Sequence, residues 1–288
     1  MATTVAADES RRVARKLRGQ PTSDGAGVRM TRVIGTPRLD HFDPFLLLDE
    51  FRSDDPNDYI AGFPNHPHRG FETVTYMLAG RMRHGDNQGN TGLLGPGSVQ
   101  WMTAGRGIVH SEFPEQEEGL MWGFQLWVNL PAKDKMTAPR YQDIPADRIP
   151  DVDLGGGVKA RVIAGTLGGA EGPVSAVATA PIYYDVALDP GAAYEIAVPS
   201  EHNVFIYVYH GAADVGQASD SVRVERGEIA LLSHGPAVAV RAAGDDTARL
   251  ILVGGRPLKE PIARYGPFVM NTPEEIHQAF ADFQAGRM

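Results

Sequence analysis

Short strand patterns separated by tight turns recur along this chain, and they limit it to an all-β fold. Over Thr73–Leu78, apolar residues alternate with threonines as in a half-buried strand, and the turn formers of residues 85–90 then end a hairpin. The chain contains 33 glycines and 21 prolines without a short period, while 42% of its residues are hydrophobic. The hydrophobic content is sufficient for a core, so the frequent turn residues indicate many short strands rather than disorder.

Two stretches of the first half resemble stretches of the second half, which indicates an internal duplication. Residues 72–80 align with residues 203–211 at an offset of 131, and residues 96–99 align with residues 226–229 at an offset of 130. In the first aligned pair, both predicted strands end in a glycine. In the second pair, a glycine precedes both predicted strands. We therefore predict two copies of one β domain.

A proline-rich segment and the N-terminus set the predicted domain boundaries. Four prolines lie between residues 131 and 150, which is typical of a connection between domains. Residues 1–20 contain the basic cluster Arg11–Arg18, and we interpret them as a solvated N-terminal arm. We predict one domain over residues 21–135 and a second over residues 136–288.

The second predicted domain ends in a helix. Thr272 can cap it, Pro273 suits its first turn, and Glu275 lies three residues after the cap, as a capping box requires. We predict this helix over residues 273 to about 284.

Composition and charge exclude several classes of function. The chain has no cysteine, so it forms no disulfide and any metal ligands must be nitrogen or oxygen atoms. Its net charge of −9 argues against binding to nucleic acid or to an anionic membrane surface. Because no signal peptide and no apolar run of transmembrane length is found, we expect a soluble, cytoplasmic protein.

Two short pairs of metal-ligating residues form the candidate site: His66 with His68, and His110 with Glu112. Each pair has i, i+2 spacing, so on an extended strand both side chains point to the same face. Three imidazoles and one carboxylate suit Fe(II), and also Mn, Ni, Cu or Zn. We predict a metal ion at this place, with coordination positions left open for a substrate or for O2.

Spacing alone leaves several assignments open. Glu72 has the same parity as His66 and His68 and is a rival carboxylate ligand. His84 and Gln125 are candidates for residues that support the ligands, although each also fits an ordinary structural role. Weaker metal candidates lie in the upstream acidic segment at three positions: Asp40, Asp43 and Asp49.

The offsets of the internal alignment test whether the second half repeats the site. They place Ala197 and Pro199 opposite the first histidine pair, and Val240 and Ala242 opposite His110 and Glu112. None of the four is a metal ligand. We therefore predict that only the first domain binds a metal.

At these residues the sequence resembles the pirin family, whose members are bicupins of the cupin superfamily. The resemblance rests on residues 66–76 with their HPHRG motif, residues 103–112 with their HSE motif, residues 126–131, and the upstream residues 43–51. It extends over about residues 10–288.

The resemblance implies a fold and a ligand set. The fold is all-β, with two cupin (double-stranded β-helix) barrels packed face to face and a C-terminal helix, and only the N-terminal barrel holds non-haem iron. By motif, the metal ligands are His66, His68, His110 and Glu112. The general cupin pattern would nominate Glu72, whereas pirins use the glutamate of the HSE motif.

The resemblance also implies two functions. Some pirins are quercetin 2,3-dioxygenases, in which Glu112 would take the proton of the flavonol 3-hydroxyl before O2 opens the heterocyclic ring and carbon monoxide leaves. Other pirins are described as iron-dependent, redox-sensing co-regulators of transcription that bind a protein partner without turnover. We expect the dioxygenase, with an aromatic flavonol-like substrate and O2.

Overall fold

The computed structural model describes residues 10–288, and it is built almost entirely from antiparallel strands. The all-β prediction is confirmed. Contacts divide the chain into two compact units. The first unit consists of residues 20–148 and 258–288, and the second unit of residues 149–257 together with the described residues 10–19.

Strand β1 belongs to the second unit, and strands β2 to β12 belong to the first unit. Their bounds are β1 Val13–Arg18, β2 Gln20–Asp24, β3 Val28–Ile34, β4 Phe45–Ser53, β5 Phe63–His68, β6 Phe71–Ala79, β7 Met82–Asp86, β8 Thr91–Leu94, β9 Val99–Thr103, β10 Ile108–Pro114, β11 Met121–Asn129 and β12 Arg140–Ile144. Three short 3-10 helices interrupt them at Pro56–Asp58, Ala132–Asp134 and Ala146–Arg148. The first unit contains a seven-stranded sheet of order β12-β9-β6-β11-β4-β3-β2 and a four-stranded sheet of order β5-β10-β7-β8.

The second unit has the same two sheets. Its strands are β13 Asp151–Gly155, β14 Val158–Ala164, β15 Thr166–Leu167, β16 Ala170–Glu171, β17 Ile182–Leu188, β18 Ala193–Ala197, β19 Asn203–His210, β20 Ala212–Val215, β21 Val222–Glu225, β22 Glu228–Leu232, β23 Ala237–Ala242 and β24 Ala248–Gly255. The seven-stranded sheet has the order β1-β22-β19-β24-β17-β14-β13, and the four-stranded sheet has the order β18-β23-β20-β21. Strands β15 and β16 form a small separate hairpin.

Strand register confirms the internal duplication. Tyr76 is paired with Val99 across β6 and β9, and Tyr207 is paired with Ile229 across β19 and β22. These are the residues that the sequence alignment equates. At the edge of each seven-stranded sheet, the strand next to this repeated pair comes from a different part of the chain. It is β12, next to β9, in the first unit and β1, next to β22, in the second.

The N-terminal segment is not a solvated arm over its described part, so that interpretation is wrong for residues 10–18. Strand β1 pairs with β22, and the preceding Arg11 is completely buried. The Arg11 guanidinium donates hydrogen bonds to five backbone carbonyl oxygens, those of Pro199, Ser200, His202, Ser233 and Gly235. Burial lowers its pKa to about 10. Residues 1–9 of the predicted arm lie outside the described residues.

The C-terminal helix is confirmed as α1, Pro273–Gln284. The Thr272 hydroxyl accepts a hydrogen bond from the Glu275 amide, and the Glu275 carboxylate accepts one from the Thr272 amide, so the capping box is complete. Strands β25 Ala263–Tyr265 and β26 Phe268–Met270 precede the helix, which packs Ile276 and Ala279 against Phe268 and Met270.

The compact units differ from the contiguous domains that the sequence suggests. Residues 258–288, including α1, are grouped with residues 20–148 rather than with the second half. No helix among residues 10–288 has the length and apolar character needed to cross a membrane.

Candidate metal centre

Two neighbouring antiparallel strands bring the predicted histidines together. His66 on β5 stands directly opposite His110 on β10. Because His68 lies two residues after His66, it points to the same face of the strand. The ring centroids are 4.7 Å apart for His66 and His68, 4.4 Å for His66 and His110, and 5.0 Å for His68 and His110. One ligating nitrogen from each ring lies within 4.8 Å of the other two, so the three imidazoles can hold a metal ion.

Burial keeps two of these rings neutral. His110 is completely buried and His68 is 3% exposed, and burial lowers the pKa of both imidazoles well below the usual value near 6.5. A neutral imidazole keeps the lone pair that a metal ion needs. His66 is half-buried, and its Nδ1 lies 2.9 Å from the Pro64 carbonyl oxygen. Since a carbonyl oxygen only accepts, Nδ1 donates and Nε2 carries the lone pair.

Unpartnered nitrogens make the cluster unfavourable unless something binds it. Neither ring nitrogen of His110 has a hydrogen-bond partner among residues 10–288, and the same is true of Nδ1 of His68. A buried polar group without a partner costs about 1–3 kcal/mol. A metal ion bound by the imidazole lone pairs would remove part of this cost, so the donor set fits a metal with nitrogen ligands.

Glu112 lines the same cavity as His66 and His68, although the three-histidine cluster itself does not include it. The pairing register of β10 with β5 shifts between His110 and Glu112, which interrupts the regular alternation of side chains between the two faces of β10. The carboxylate is buried, and burial raises its pKa. The Thr75 hydroxyl lies 3.3 Å from Glu112 Oε1 and 2.6 Å from Gln125 Oε1, so its single proton serves one of these oxygens at a time.

The other candidates from the sequence lie outside the cluster. Glu72 does not line the cavity, and its carboxylate accepts a hydrogen bond of 2.7 Å from the Thr103 hydroxyl. His84 is buried, stacks on Tyr141, and lies 3.6 Å from Asp143.

The upstream acidic residues have other partners. Both oxygens of Asp49 accept from the Arg32 guanidinium, at 2.9 and 2.8 Å. Asp43 accepts from the amides of Leu258 and Lys259. The third candidate, Asp40, contacts the neighbouring His41.

Residues 258–288 contact the Arg69 and Gly70 residues of the HPHRG motif. A Cβ atom on Gly70, whose φ is +88°, would lie 1.9 Å from the Val269 carbonyl oxygen, so only glycine fits this position. The Arg69 guanidinium donates to the carboxylate of Asp282 on α1 at 2.8 Å and to the Arg106 carbonyl oxygen. Helix α1 is therefore hydrogen-bonded to Arg69, and strand β26 lies in close contact with Gly70, the two residues that follow His68.

His66 and His68 line a cavity of about 810 Å³ in the first unit. Its walls carry large apolar side chains, among them Leu47, Phe51, Phe63 and Trp127. They also carry charged groups: Asp24, Arg32, Asp49, Glu112 and Arg264. A cavity of this size and character is typical of a small-molecule site, for which about 300–1,000 Å³ is usual.

The sequence prediction missed several cavity residues. Trp127 lies two residues after Gln125 on β11, so strand alternation could have placed it on the same face. Its ring contacts those of His68 and Phe71, at centroid distances of 5.2 and 4.4 Å. No local sequence pattern indicated Arg264, because it lies at the cavity only through the grouping of residues 258–288 with the first half of the chain.

The second unit carries apolar residues where the first carries ligands. Across β18 and β23, Tyr194 stands opposite Val240 and Ile196 opposite Val238, as His66 stands opposite His110 and His68 opposite Ile108. The register therefore equates Tyr194 and Ile196 with His66 and His68, instead of the Ala197 and Pro199 that the sequence offsets give. Ile196, Val240 and Ala242 belong to the apolar core, and no second group of metal ligands occurs among residues 10–288.

Comparison with known proteins agrees with the duplicated fold. The family model described as Pirin matches residues 27–128, and the one described as Pirin C-terminal cupin domain matches residues 183–288. Two cupin domains are thus present.

Individual relatives match along nearly the whole chain. A "Pirin-like protein" of Caulobacter vibrioides is 54% identical over 278 residues, which cover 96% of this chain and 99% of that protein. The crystal structure of a quercetin 2,3-dioxygenase from Acinetobacter baumannii is 36% identical, with a TM-score of 0.88 over 96% of this chain and 98% of that one. The Escherichia coli pirin YhhW in complex with nickel(II) has the same fold at 20% identity, with a TM-score of 0.64 over 86% of this chain and 98% of that one. Since the family models match both halves and relatives align along nearly all of the chain, this protein belongs to the pirin family.

Proposed function

We propose that this protein is a metal-dependent dioxygenase that opens the heterocyclic ring of a flavonol such as quercetin with O2. The observation that carries the proposal is the cluster of three imidazoles, in which His68 and His110 have unpartnered nitrogens and His66 and His68 line a cavity of about 810 Å³. The name of the Acinetobacter baumannii protein, a quercetin 2,3-dioxygenase, supports this choice of reaction.

His66, His68, His110 and Glu112 would hold the metal ion. A bound ion would supply Lewis-acid and one-electron chemistry for the reaction with O2. We propose Fe(II) as the ion, while Mn, Ni, Cu and Zn also suit a set of three nitrogens and one carboxylate. The nickel(II) complex of YhhW shows that a protein of this fold can bind an ion other than iron.

Glu112 is the proposed general base. Glu112 lines the cavity together with His66 and His68, so its carboxylate is placed to accept the proton of an acidic hydroxyl such as the 3-hydroxyl of a flavonol. Thr75 is buried, and its hydroxyl lies within hydrogen-bond distance of both Glu112 Oε1 and Gln125 Oε1. These contacts would orient the carboxylate during proton transfer.

The apolar wall of the cavity would bind the substrate body. Phe51, Phe63 and Trp127 offer aromatic surfaces to a planar ring system, and burial of such a ring is favourable by about 25 cal/mol for each Å² removed from water. The same surfaces limit the water that can reach the reacting atoms.

The test combines metal analysis and turnover on one sample. Protein prepared without oxygen is analysed for metal, and flavonol absorbance and O2 concentration are then followed after air is admitted. We expect equal consumption of flavonol and O2, no change under argon, and no turnover by His68→Ala, which lacks a metal ligand.

Two controls sharpen the result. Glu72→Gln changes a buried carboxylate outside the cavity and should keep the metal and most of the activity. If fully iron-loaded protein leaves quercetin unchanged in air, the quercetin assignment is wrong. Binding of a partner protein that changes between Fe(II) and Fe(III) would then favour the redox-sensing function.

A further inference from the structure

The cavity carries two guanidinium groups in different electrostatic situations. That of Arg32 is neutralised, because it donates to both oxygens of Asp49 and to Asp24 at 3.0 Å. That of Arg264 has one hydrogen bond, to the Leu46 carbonyl oxygen at 3.0 Å, and among residues 10–288 no carboxylate lies within ion-pair distance of it. Four of the five N–H donors of Arg264 therefore have no hydrogen-bond partner among residues 10–288, and the side chain lines the cavity.

Partial burial of the Arg264 guanidinium carries a desolvation cost when no ligand is bound. Arg264 is only partly exposed, and burial lowers the pKa of its guanidinium. The charges of Asp40, Asp49 and Asp24 oppose this effect without forming an ion pair with Arg264, and both oxygens of Asp49 already accept hydrogen bonds from Arg32. An anion bound beside Arg264 would offset the desolvation of the guanidinium.

Trp127 lies close to both Arg264 and His68. The Arg264 guanidinium carbon lies 5.0 Å from the centroid of the Trp127 ring. The same tryptophan lies 5.2 Å from His68 between ring centroids, so the guanidinium carbon is at most about 10 Å from the centre of the His68 ring. An aromatic molecule of two or three rings can therefore contact His68 and Arg264 together.

We propose that Arg264 is a specificity-determining residue that binds a negatively charged oxygen group of the substrate. The substrate class is an aromatic compound that carries a carboxylate or phenolate remote from the ring that reacts. The inference rests on the proposed function for the identity of the reacting end, and it adds the chemistry of the other end.

The alternative role for Arg264 is purely structural, as a cation stacked on Trp127. A matched pair of ligands separates the two roles: a flavone with a carboxylate on its phenyl ring, and the methyl ester of the same flavone. Both have the same ring system, but only the carboxylate is charged. Their affinities for the metal-loaded protein are measured by titration calorimetry, which needs no turnover.

We expect wild-type protein to bind the carboxylate at least about 10-fold more tightly than the ester, since a hydrogen bond to a charged group contributes about 1.5–3 kcal/mol. Arg264→Gln should lose this preference and bind the ester as before. Arg264→Lys should keep part of it, because a lysine retains the charge without the planar set of donors. Arg29→Gln is the control, since Arg29 is exposed on β3 and does not line the cavity.

The inference is overturned if wild-type protein binds the two ligands equally, or if Arg264→Gln weakens both to the same extent. Equal binding of the two ligands by wild-type protein overturns the inference even if a variant fails to fold. Loss of the carboxylate preference in Arg264→Gln, together with absence of quercetin turnover in the wild type, would disprove the proposed reaction and leave the role of Arg264 standing.

Discussion

Replacement of the buried Lys135 by methionine is expected to destabilise the first unit and to weaken its metal site. Lys135 is 1% exposed, and its ammonium group donates to three oxygens: the Gly70 carbonyl at 2.7 Å, the Asn129 side chain at 2.6 Å and the Val269 carbonyl at 3.0 Å. Gly70 follows His68 by two residues, so Lys135 connects the HPHRG motif with β26. Methionine has a similar length and removes all three bonds.

Two opposing contributions set the size of the effect. Burial lowers the pKa of Lys135 from 10.5 to about 8, which corresponds to a cost of about 3 kcal/mol for keeping the ammonium charged. Loss of the lysine relieves this cost but leaves three buried acceptors unpaired, at about 2 kcal/mol each. The acceptors dominate, and we expect Lys135→Met to lower the free energy of unfolding by about 3 kcal/mol at pH 7.

The pH dependence gives a second and sharper test. Between the folded pKa of about 8 and the unfolded value of 10.5, the unfolded chain binds more protons at Lys135 than the folded chain does. Stability therefore rises with pH in this interval, by up to about 3 kcal/mol in total. The variant lacks this group, so the stability difference between wild type and Lys135→Met should grow from pH 8 to pH 10.5.

Tryptophan fluorescence reports on the correct part of the chain, because all three tryptophans (Trp101, Trp122 and Trp127) lie in the first unit. Urea unfolding is followed for both proteins at pH 7, 8, 9 and 10, with metal content measured in parallel. Lys133→Met is the control, since Lys133 is exposed two residues away. Equal stability of wild type and Lys135→Met, or a difference that does not change with pH, would refute the reasoning.

Two further substitutions test the support of the HPHRG motif. Gly70→Ala should lower the melting temperature by several degrees more than Gly89→Ala, and it should also reduce metal content; both glycines have φ near +90°, but only the alanine at 70 meets the Val269 carbonyl oxygen. Asp282→Asn should destabilise the protein at pH 7, and its effect should decrease progressively as the pH is lowered below about 4, as measured by thermal unfolding. The Arg69 guanidinium holds the pKa of Asp282 below its usual value, so this contribution is present above an unfolded pKa of about 4 and is lost as the pH falls towards the folded pKa.

Features encoded by local patterns could be predicted from the sequence. The capping box of α1 depends on four consecutive residues, and the convergence of His66 and His68 depends on strand alternation. The equivalence of Tyr76 with Tyr207 and of Val99 with Ile229 followed from an alignment of short strands, and the strand register agrees with it. In each case the interacting residues are neighbours in sequence or in a repeated strand pair.

Features that depend on distant parts of the chain could not be predicted. A basic cluster near a terminus normally lies in solvent, but Arg11 is buried because five carbonyl oxygens from residues 199–235 surround it. The position of Arg264 in the cavity depends on the return of residues 258–288 to the first unit. Even the equivalence of His66 with Tyr194 required strand register, because the offset differs from that of the neighbouring strands.

The comparison of the two units indicates what a metal site needs beyond its ligands. Both units have sheets with the same strand order, so the fold alone does not create the site. The second unit fills the equivalent positions with an apolar core that includes Ile196 and Val240. The first unit adds residues 258–288, from which Val269 and Asp282 bond to Lys135 and Arg69 behind the histidine motif. Ligands placed on β18 and β23 would lack this support, so the metal centre depends on the C-terminal segment as well as on the histidine pairs.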